Sequence, residues 1–230
     1  MGLPNIIAID GPAGSGKSTL GKMLSDTLGY LYFDTGVMYR AVTLAAIQRS
    51  IPLEEEQAVT SLAEEIHLDV RPPVEKEEIH SRVFLDGEDV TESIRSPEID
   101  ANVSIVSTYP GVRKALSEQQ RRVGLRGKVV MVGRDIGTVV LPEADLKIYL
   151  DASIEERGRR RFAELRERGE SASMAEILDS LRLRDRIDST RKFAPLRPAE
   201  DAVIVNSEGQ SIEEAYECLV KLVETWRAKR

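Results

Sequence analysis

Five short apolar runs punctuate the chain: Ile6 to Ile9, Leu31 to Phe33, Val129 to Val132, Ile148 to Leu150 and Val203 to Val205. None alternates with polar residues, so each reads as a strand buried on both faces, the habit of parallel sheets. Between them the apolar period lengthens to that of a helix. Leu20, Met23, Leu24 and Leu28 share one face after the first run, and Met38, Val42, Ala45 and Ala46 share another after the second. A third helix carries Val112, Ala115, Leu116 and Gln119, with Pro110 suited to its first turn. In the last, Ser211 and Glu214 form a capping-box pattern. Its apolar stripe runs through Ile212, Ala215, Tyr216, Leu219, Leu222, Val223 and Trp226, which puts Cys218 and Trp226 in the core and not on a cofactor. Strands alternating with helices predict an α/β fold: a parallel sheet covered on both faces, with right-handed crossovers and ligands at the strands' carboxyl ends.

Two regions break this rhythm. From His67 to Ser96 a Pro-Pro pair and an Asp86-Gly87 turn, flanked by "RVFL" and "EDV", predict a small antiparallel insertion. From Glu155 to Arg197 the chain carries twelve Lys/Arg and nine Asp/Glu, and "ERGRRRFAELRERG" and "LRLRDRIDSTRK" read as two charged helices. There are no internal repeats and no low-complexity linker.

A chain of 230 residues, 41% hydrophobic and 31% charged, can bury one sizeable core with a small insertion. The net charge of -7 argues against a broad nucleic-acid-binding face, though a small anion needs only a local basic pocket. The one cysteine, Cys218, allows no internal disulfide, and no apolar run approaches a signal peptide or membrane span, so a cytoplasmic protein is expected. His67 and His80 are too few and too poorly accompanied for a His/Cys metal site.

The first apolar run leads into "GPAGSGKST", Gly11, Pro12, Ala13, Gly14, Ser15, Gly16, Lys17, Ser18 and Thr19, the spacing of a P-loop between strand and helix. Its glycines let backbone N–H groups turn inward at a helix N-terminus, which makes a phosphate cradle. Lys17 can reach the β- and γ-phosphates, and the Ser18 hydroxyl can ligate Mg²⁺. No Asn-Lys pair occurs in the chain, which weakens a guanine-nucleotide switch. The strand "KIYLD" ends in Asp151 but continues Ala-Ser, so the acidic pair with which motor ATPases polarise water is missing there.

Transfer to a bound acceptor remains, and three motifs bear on it. "DTGVMYR" places Asp34, Thr35, Gly36 and Arg40 at the exit of the second strand, and "GRDIGTVV" places Gly133, Arg134 and Asp135 at the exit of another. "LRDRIDSTR" sets Arg184, Asp188 and Arg191 at i, i+4 and i+7, on one helical face. Each alone has a plain alternative, a helix cap or a solvated charged face.

Together these motifs resemble the bacterial cytidylate kinases, P-loop enzymes that move a phosphoryl group from ATP to CMP or dCMP. The likeness also includes the insertion with "VFLDGEDVT", "GRDIGTVVLPEADLKIYLDAS" and "APLRPAEDAVIVN", and it spans about residues 5 to 225. It implies a nucleoside-monophosphate-kinase-like core of five parallel strands from residues 1–66, 97–153 and 192–230, a monophosphate-binding insertion at 67–96 and a short helical lid at 154–191. It also implies that Arg40, Arg134 and Arg191 hold the acceptor phosphate, Arg184 and Asp188 the sugar, and Ser104, Arg113 and Asp135 the cytosine, with Thr35 among the substrate contacts. Lys17, Arg134 and Arg184 would act at the transferred group, and Arg157 and Arg161 would close over it. Relatives often have an acidic residue before the Gly-Arg-Asp where this chain has Val132; Mg²⁺ would then rest on Ser18, with Asp34 as the candidate partner. A monomer working on ATP and CMP or dCMP is expected, with no nucleic acid or membrane partner. A uridylate or shikimate-type kinase and a nucleotide-dependent switch are the competing readings; a nucleic-acid module is disfavoured because acids are interleaved with the bases.

Overall fold

The computed structural model describes residues 2–71, 81–167 and 169–226. The main sheet has five parallel strands, β1 (Ile6–Asp10), β2 (Leu31–Asp34), β6 (Val129–Gly133), β7 (Leu146–Asp151) and β8 (Val203–Asn206), in the order β2-β6-β1-β7-β8. Strand β1 lies at the centre, between β6 and β7, and every one of its residues is buried. Its side chains divide by parity. Ile6 and Ala8 join a cluster with Phe33, Met131 and the helix α2 (Gly36–Gln48) on one face. Ile7 and Ile9 join Tyr32, Val130, Ile148 and the helices α1 (Lys17–Leu28) and α8 (Ile212–Thr225) on the other. This is why an unbroken apolar run was needed: both faces of the strand are covered.

Helices α3 (Glu56–Glu65), α4 (Pro97–Val106) and α5 (Pro110–Gly124) complete the first face. Both α4 and α5 have a proline in the first turn, and the Ser96 hydroxyl caps α4. The charged segment folds into α6 (Ile154–Glu167) and α7 (Met174–Thr190), a helical hairpin with a small apolar cluster around Ile177 and Leu181 that also includes Ala13. Ser173 and Glu176 form a capping box at the start of α7.

The antiparallel element consists of β3 (Leu68–Arg71), β4 (Arg82–Leu85) and β5 (Glu88–Asp89). Asp86 and Gly87 both have positive φ, 50° and 89°, which is the backbone a two-residue hairpin turn demands. Val83, Leu85, Val90 and Ile94 belong to the cluster under α2, so this element has no separate core. His67 is exposed, whereas Pro72-Pro73 and His80 lie outside the described residues. No helix among the described residues is long and apolar enough to cross a membrane.

Three readings need correction. Strand β8 is not buried on both faces: Val203 and Ile204 are 39% and 62% exposed, because β8 is an edge strand paired only with β7. Ile212 falls outside the apolar stripe and is 53% exposed. Cys218 is half-buried and outside the core, whereas Trp226, also half-buried, packs against the apolar cluster on that face while its indole N–H donates to the Asp145 carbonyl at 2.8 Å. Helices α3 and α4 have no counterpart among the periodic segments read above.

One close approach fixes α1 against the sheet. A Cβ on Gly21 would stand 2.7 Å from Val132 Cγ1 and 3.4 Å from the Tyr32 ring, both rigid groups in the sheet. Alanine is the better helix former by about 1 kcal/mol, but overpacking costs about 1–3 kcal/mol. Gly21→Ala is therefore expected to lower the denaturant midpoint; a raised midpoint would show that the helix can shift away at no cost.

Candidate active site

The P-loop, the Asp34-Thr35-Gly36 and Gly133-Arg134-Asp135 turns and the charged face of α7 meet at the carboxyl edge of the parallel sheet. The chain leaves β1 at Asp10 and turns through Gly11, whose φ is 151° and whose Cβ, if present, would stand 2.1 Å from the Leu150 carbonyl oxygen of β7. Only glycine fits there. Gly16, at φ 92°, is the residue before α1, so the loop closes onto a helix N-terminus. Lys17 is buried, and its Nζ donates to the Pro12 carbonyl at 2.6 Å and Ser15 Oγ at 3.3 Å, which folds the ammonium into its own loop. Burial, and after it the charge of Arg134, push its pKa well below the ordinary value.

Beside the loop, Ser18 Oγ donates to Asp34 Oδ2 at 3.0 Å, while Asp34 Oδ1 accepts the Gly36 N–H at the start of α2. The Thr35 hydroxyl donates to the Val132 carbonyl at 2.9 Å, so this predicted substrate contact ties β2 to β6. Val132 itself is buried in the apolar cluster that includes α1.

Beyond the P-loop lies a concentration of guanidinium groups. Arg134, at the exit of β6, donates through Nε to Asp188 Oδ2 at 3.0 Å, and Arg191 Nη1 reaches Asp188 Oδ1 at 3.4 Å. Arg113, from α5, donates to Asp135 Oδ2 at 2.6 Å and to the Ser107 carbonyl at 2.9 Å, with its guanidinium over the Tyr39 ring at 5.3 Å. Ser104 is buried on α4, one turn before Ser107, whose hydroxyl it accepts through its carbonyl. Arg40, from α2, donates to the Ile94 carbonyl and to Asp100 Oδ1. Arg184 is half-buried, and its pKa is lowered to about 10, first by burial and then by Arg134 and Arg40. Three guanidinium nitrogens here, Arg113 Nε, Arg184 Nε and Arg191 Nη2, are shut off from solvent without a hydrogen-bond partner. Buried donors of that kind call for an acceptor.

The helical hairpin approaches from the side. Arg157 is buried and pairs with both oxygens of Asp185 at 3.1 and 2.6 Å, and it also donates to the Ala13 and Ala152 carbonyls. Its guanidinium joins α6, α7 and the P-loop. Arg161, one turn on, donates to Asp100 Oδ2 at 2.8 Å. Arg160 went unread in the sequence, yet it bridges the P-loop and the end of β8, donating to the Ser15 carbonyl and to the Ser207 hydroxyl and carbonyl. Asp185 was visible inside the "RDRIDSTR" motif, whereas nothing local marked Asp100.

Asp10 also went unread, though it directly precedes the P-loop. Its two carboxylate oxygens accept the Ile136 and Gly137 N–H groups, each at 2.8 Å, and so hold the turn that presents Arg134 and Asp135. Burial, countered by those two bonds and aided by the Asp135 charge, raises its pKa from 3.8 to about 6. The folded chain thus keeps this proton to a higher pH than the unfolded chain does. Its ionisation destabilises the fold as pH rises from about 4 to about 6, on the order of 2–3 kcal/mol. Because asparagine does not titrate, the melting-temperature difference between wild type and Asp10→Asn is expected to shift in the variant's favour over that window and to level off above pH 7. A difference that does not vary with pH would place the carboxyl at its ordinary value.

The cytidylate kinase family model matches residues 7–225. Cytidylate kinase from Herpetosiphon aurantiacus is 47% identical over 223 residues, covering 97% of this chain and 96% of that protein. The cytidylate kinase of Chloroflexus aggregans is 49% identical over 209 residues, 91% of this chain and 89% of that one. Among solved structures, an uncharacterized protein from Eubacterium ventriosum aligns over 96% of this chain and 99% of its own with a TM-score of 0.52 at 13% identity, a likeness of fold alone. With its P-loop, its arginine cluster and a match over nearly its whole length, the chain belongs to the cytidylate kinase family.

Proposed function

We infer that the protein phosphorylates CMP to CDP, taking dCMP as well, with ATP as donor. The observation that carries the reading is the run of cations from donor cradle to acceptor side: Lys17 feels Arg134, and Arg184 feels both Arg134 and Arg40. Beside them lie three guanidinium nitrogens without a hydrogen-bond partner. Such a cluster is stabilised by phosphate oxygens, and two nucleotides placed end to end would supply them from both sides.

The acceptor phosphate is already anionic, so no general base is needed; the protein's part is to align the two nucleotides and offset their repulsion. The P-loop backbone and Lys17 bind the donor's phosphates. Arg40, Arg134 and Arg191 bind the acceptor's, Arg184 and Asp188 position its sugar, and Arg184 also lies close enough to Arg134 to stabilise charge at the transferred group. Ser104, Arg113 and Asp135 read the base. The Asp135 carboxylate accepts from the cytosine 4-amino group, whereas uracil would present a carbonyl to it. Ser18 and Asp34 offer a hydroxyl and a carboxylate 3.0 Å apart, hard oxygen donors that suit Mg²⁺ and leave room for its waters. Bound with ATP, the ion supplies charge neutralisation at the donor's phosphates.

In this reading residues 1–66, 97–153 and 192–230 are the core, 67–96 the monophosphate-binding insertion and 154–191 a lid. Closure of α6 and α7 brings Arg157 and Arg161 toward the phosphates and excludes water. One chain carries every group named, so a monomer in the cytoplasm suffices for the reaction.

The test is ADP release with ATP and Mg²⁺ against CMP, dCMP, UMP, AMP, GMP and shikimate. CMP and dCMP are expected to be the best acceptors, and ADP formed at one rate whatever the acceptor would sink the reading. Lys17→Ala is expected to lower kcat about a thousandfold with its melting temperature kept, and near-normal turnover would remove Lys17 from the mechanism. For Asp135→Ala the preference for CMP over UMP is expected to shrink about tenfold; an unchanged ratio of the two kcat/KM values rejects Asp135 as base reader.

A further inference from the structure

Asp100 has no role in the reaction as described, yet it sits where two elements converge on one carboxylate. Its Oδ1 accepts from Arg40 of α2 at 2.5 Å and its Oδ2 from Arg161 of α6 at 2.8 Å. Asp100 itself is on α4, so the contact spans three helices. The carboxyl is half-buried, but the charges and hydrogen bonds of Arg40 and the charge of Arg161 outweigh that burial and keep its pKa below the ordinary value, so it is an anion at neutral pH. Asp100 also acts on Arg184, whose pKa is lowered by burial and then by Arg134 and Arg40, and raised in part by Asp100 and Asp188. Asp100 thus acts with all three of Arg40, Arg161 and Arg184, while Arg184 also has Asp188 and Arg161 also has Glu164.

A carboxylate whose two oxygens each take one guanidinium imitates two oxygens of a phosphate. We propose that Asp100 is an internal competitor for the acceptor's phosphate: it holds Arg40 and Arg161 when no monophosphate is bound, and the nucleotide must take them from it. The proposal rests on the assignment of Arg40 to the acceptor phosphate. A phosphate dianion carries more charge and more acceptor oxygens, so it wins the arginines, at a cost in apparent affinity equal to what Asp100 gives up. Release of Arg161 in that exchange removes one of the arginine ties that hold α6, beside those of Arg157 and Arg160, and so couples arrival of an acceptor to the attachment of the hairpin. A neutral nucleoside has nothing to offer Arg40 and leaves the contact intact.

The experiment is titration calorimetry of the full chain with CMP and with cytidine at fixed ionic strength, on wild type, Asp100→Asn and Asp100→Ser. The two substitutions remove the charge with and without the bulk, so an effect common to both reports the charge. Both are expected to bind CMP about three- to tenfold tighter, to bind cytidine as wild type does, and to show a lower KM for CMP without a higher kcat. CMP affinity that is unchanged or weakened in both, or cytidine tightened as much as CMP, overturns the proposal. A wild-type chain that binds no CMP would instead overturn the function reading, and this proposal with it.

Discussion

Like charges are crowded at the carboxyl edge of the sheet, and the arrangement around them follows from keeping them there. Burial, and after it the charge of Arg134, lowers the pKa of Lys17, and burial followed by the charges of Arg134 and Arg40 lowers that of Arg184. A cluster of this kind persists only if anions share the space. Asp100, Asp135, Asp185 and Asp188 supply them, each contacted by at least one guanidinium. The balance is incomplete: Arg113 Nε, Arg184 Nε and Arg191 Nη2 lack a hydrogen-bond partner, the last keeping only an ion-pair distance of 3.8 Å to Asp135.

The fold makes the crowding possible by giving each cation a separate, stiff support. Lys17 opens α1, Arg134 leaves β6, Arg40 rides on α2, Arg113 on α5 and Arg184 on α7. The sheet brings the exits of β1, β2 and β6 side by side, and Asp10 pins the β6 exit through two backbone N–H groups. Glycine at position 11 lets the P-loop pass against β7, where a side chain would collide with the Leu150 carbonyl. These supports are apolar and close-packed, so the charged groups are placed by a core they take no part in.

The hairpin of α6 and α7 is attached differently. Its own apolar cluster is small and touches the body mainly through Ala13, while its other ties are polar: Arg157 to the Ala13 and Ala152 carbonyls, Arg160 to Ser15 and Ser207, Arg161 to Asp100. The half-buried ties of Arg160 and Arg161 are exchanged for water or for ligand phosphate at little cost, whereas Arg157 is buried and its bonds to the P-loop are the firmer attachment. An element held this way can follow the charge state of the site.

The sequence by itself determined much of this. Unbroken apolar runs marked the strands, because burial on both faces leaves no polar alternation, and the capping pattern at Ser211 marked the last helix, because a cap is a local bond. The P-loop spacing located the glycine-lined loop between β1 and the N-terminus of α1, since its shape is backbone conformation dictated by glycine positions. Helix α4 stayed hidden among β-branched residues, and the exposure of β8 was invisible, because an edge strand differs from a central one only in what lies beside it. The tertiary structure alone decided which carboxylate meets which guanidinium: Asp10 with the β6 turn, Asp135 with Arg113, Asp100 with Arg40 and Arg161. These partners lie 126, 22, 60 and 61 residues apart, and no local pattern encodes a contact made by folding two distant segments into the same few ångströms.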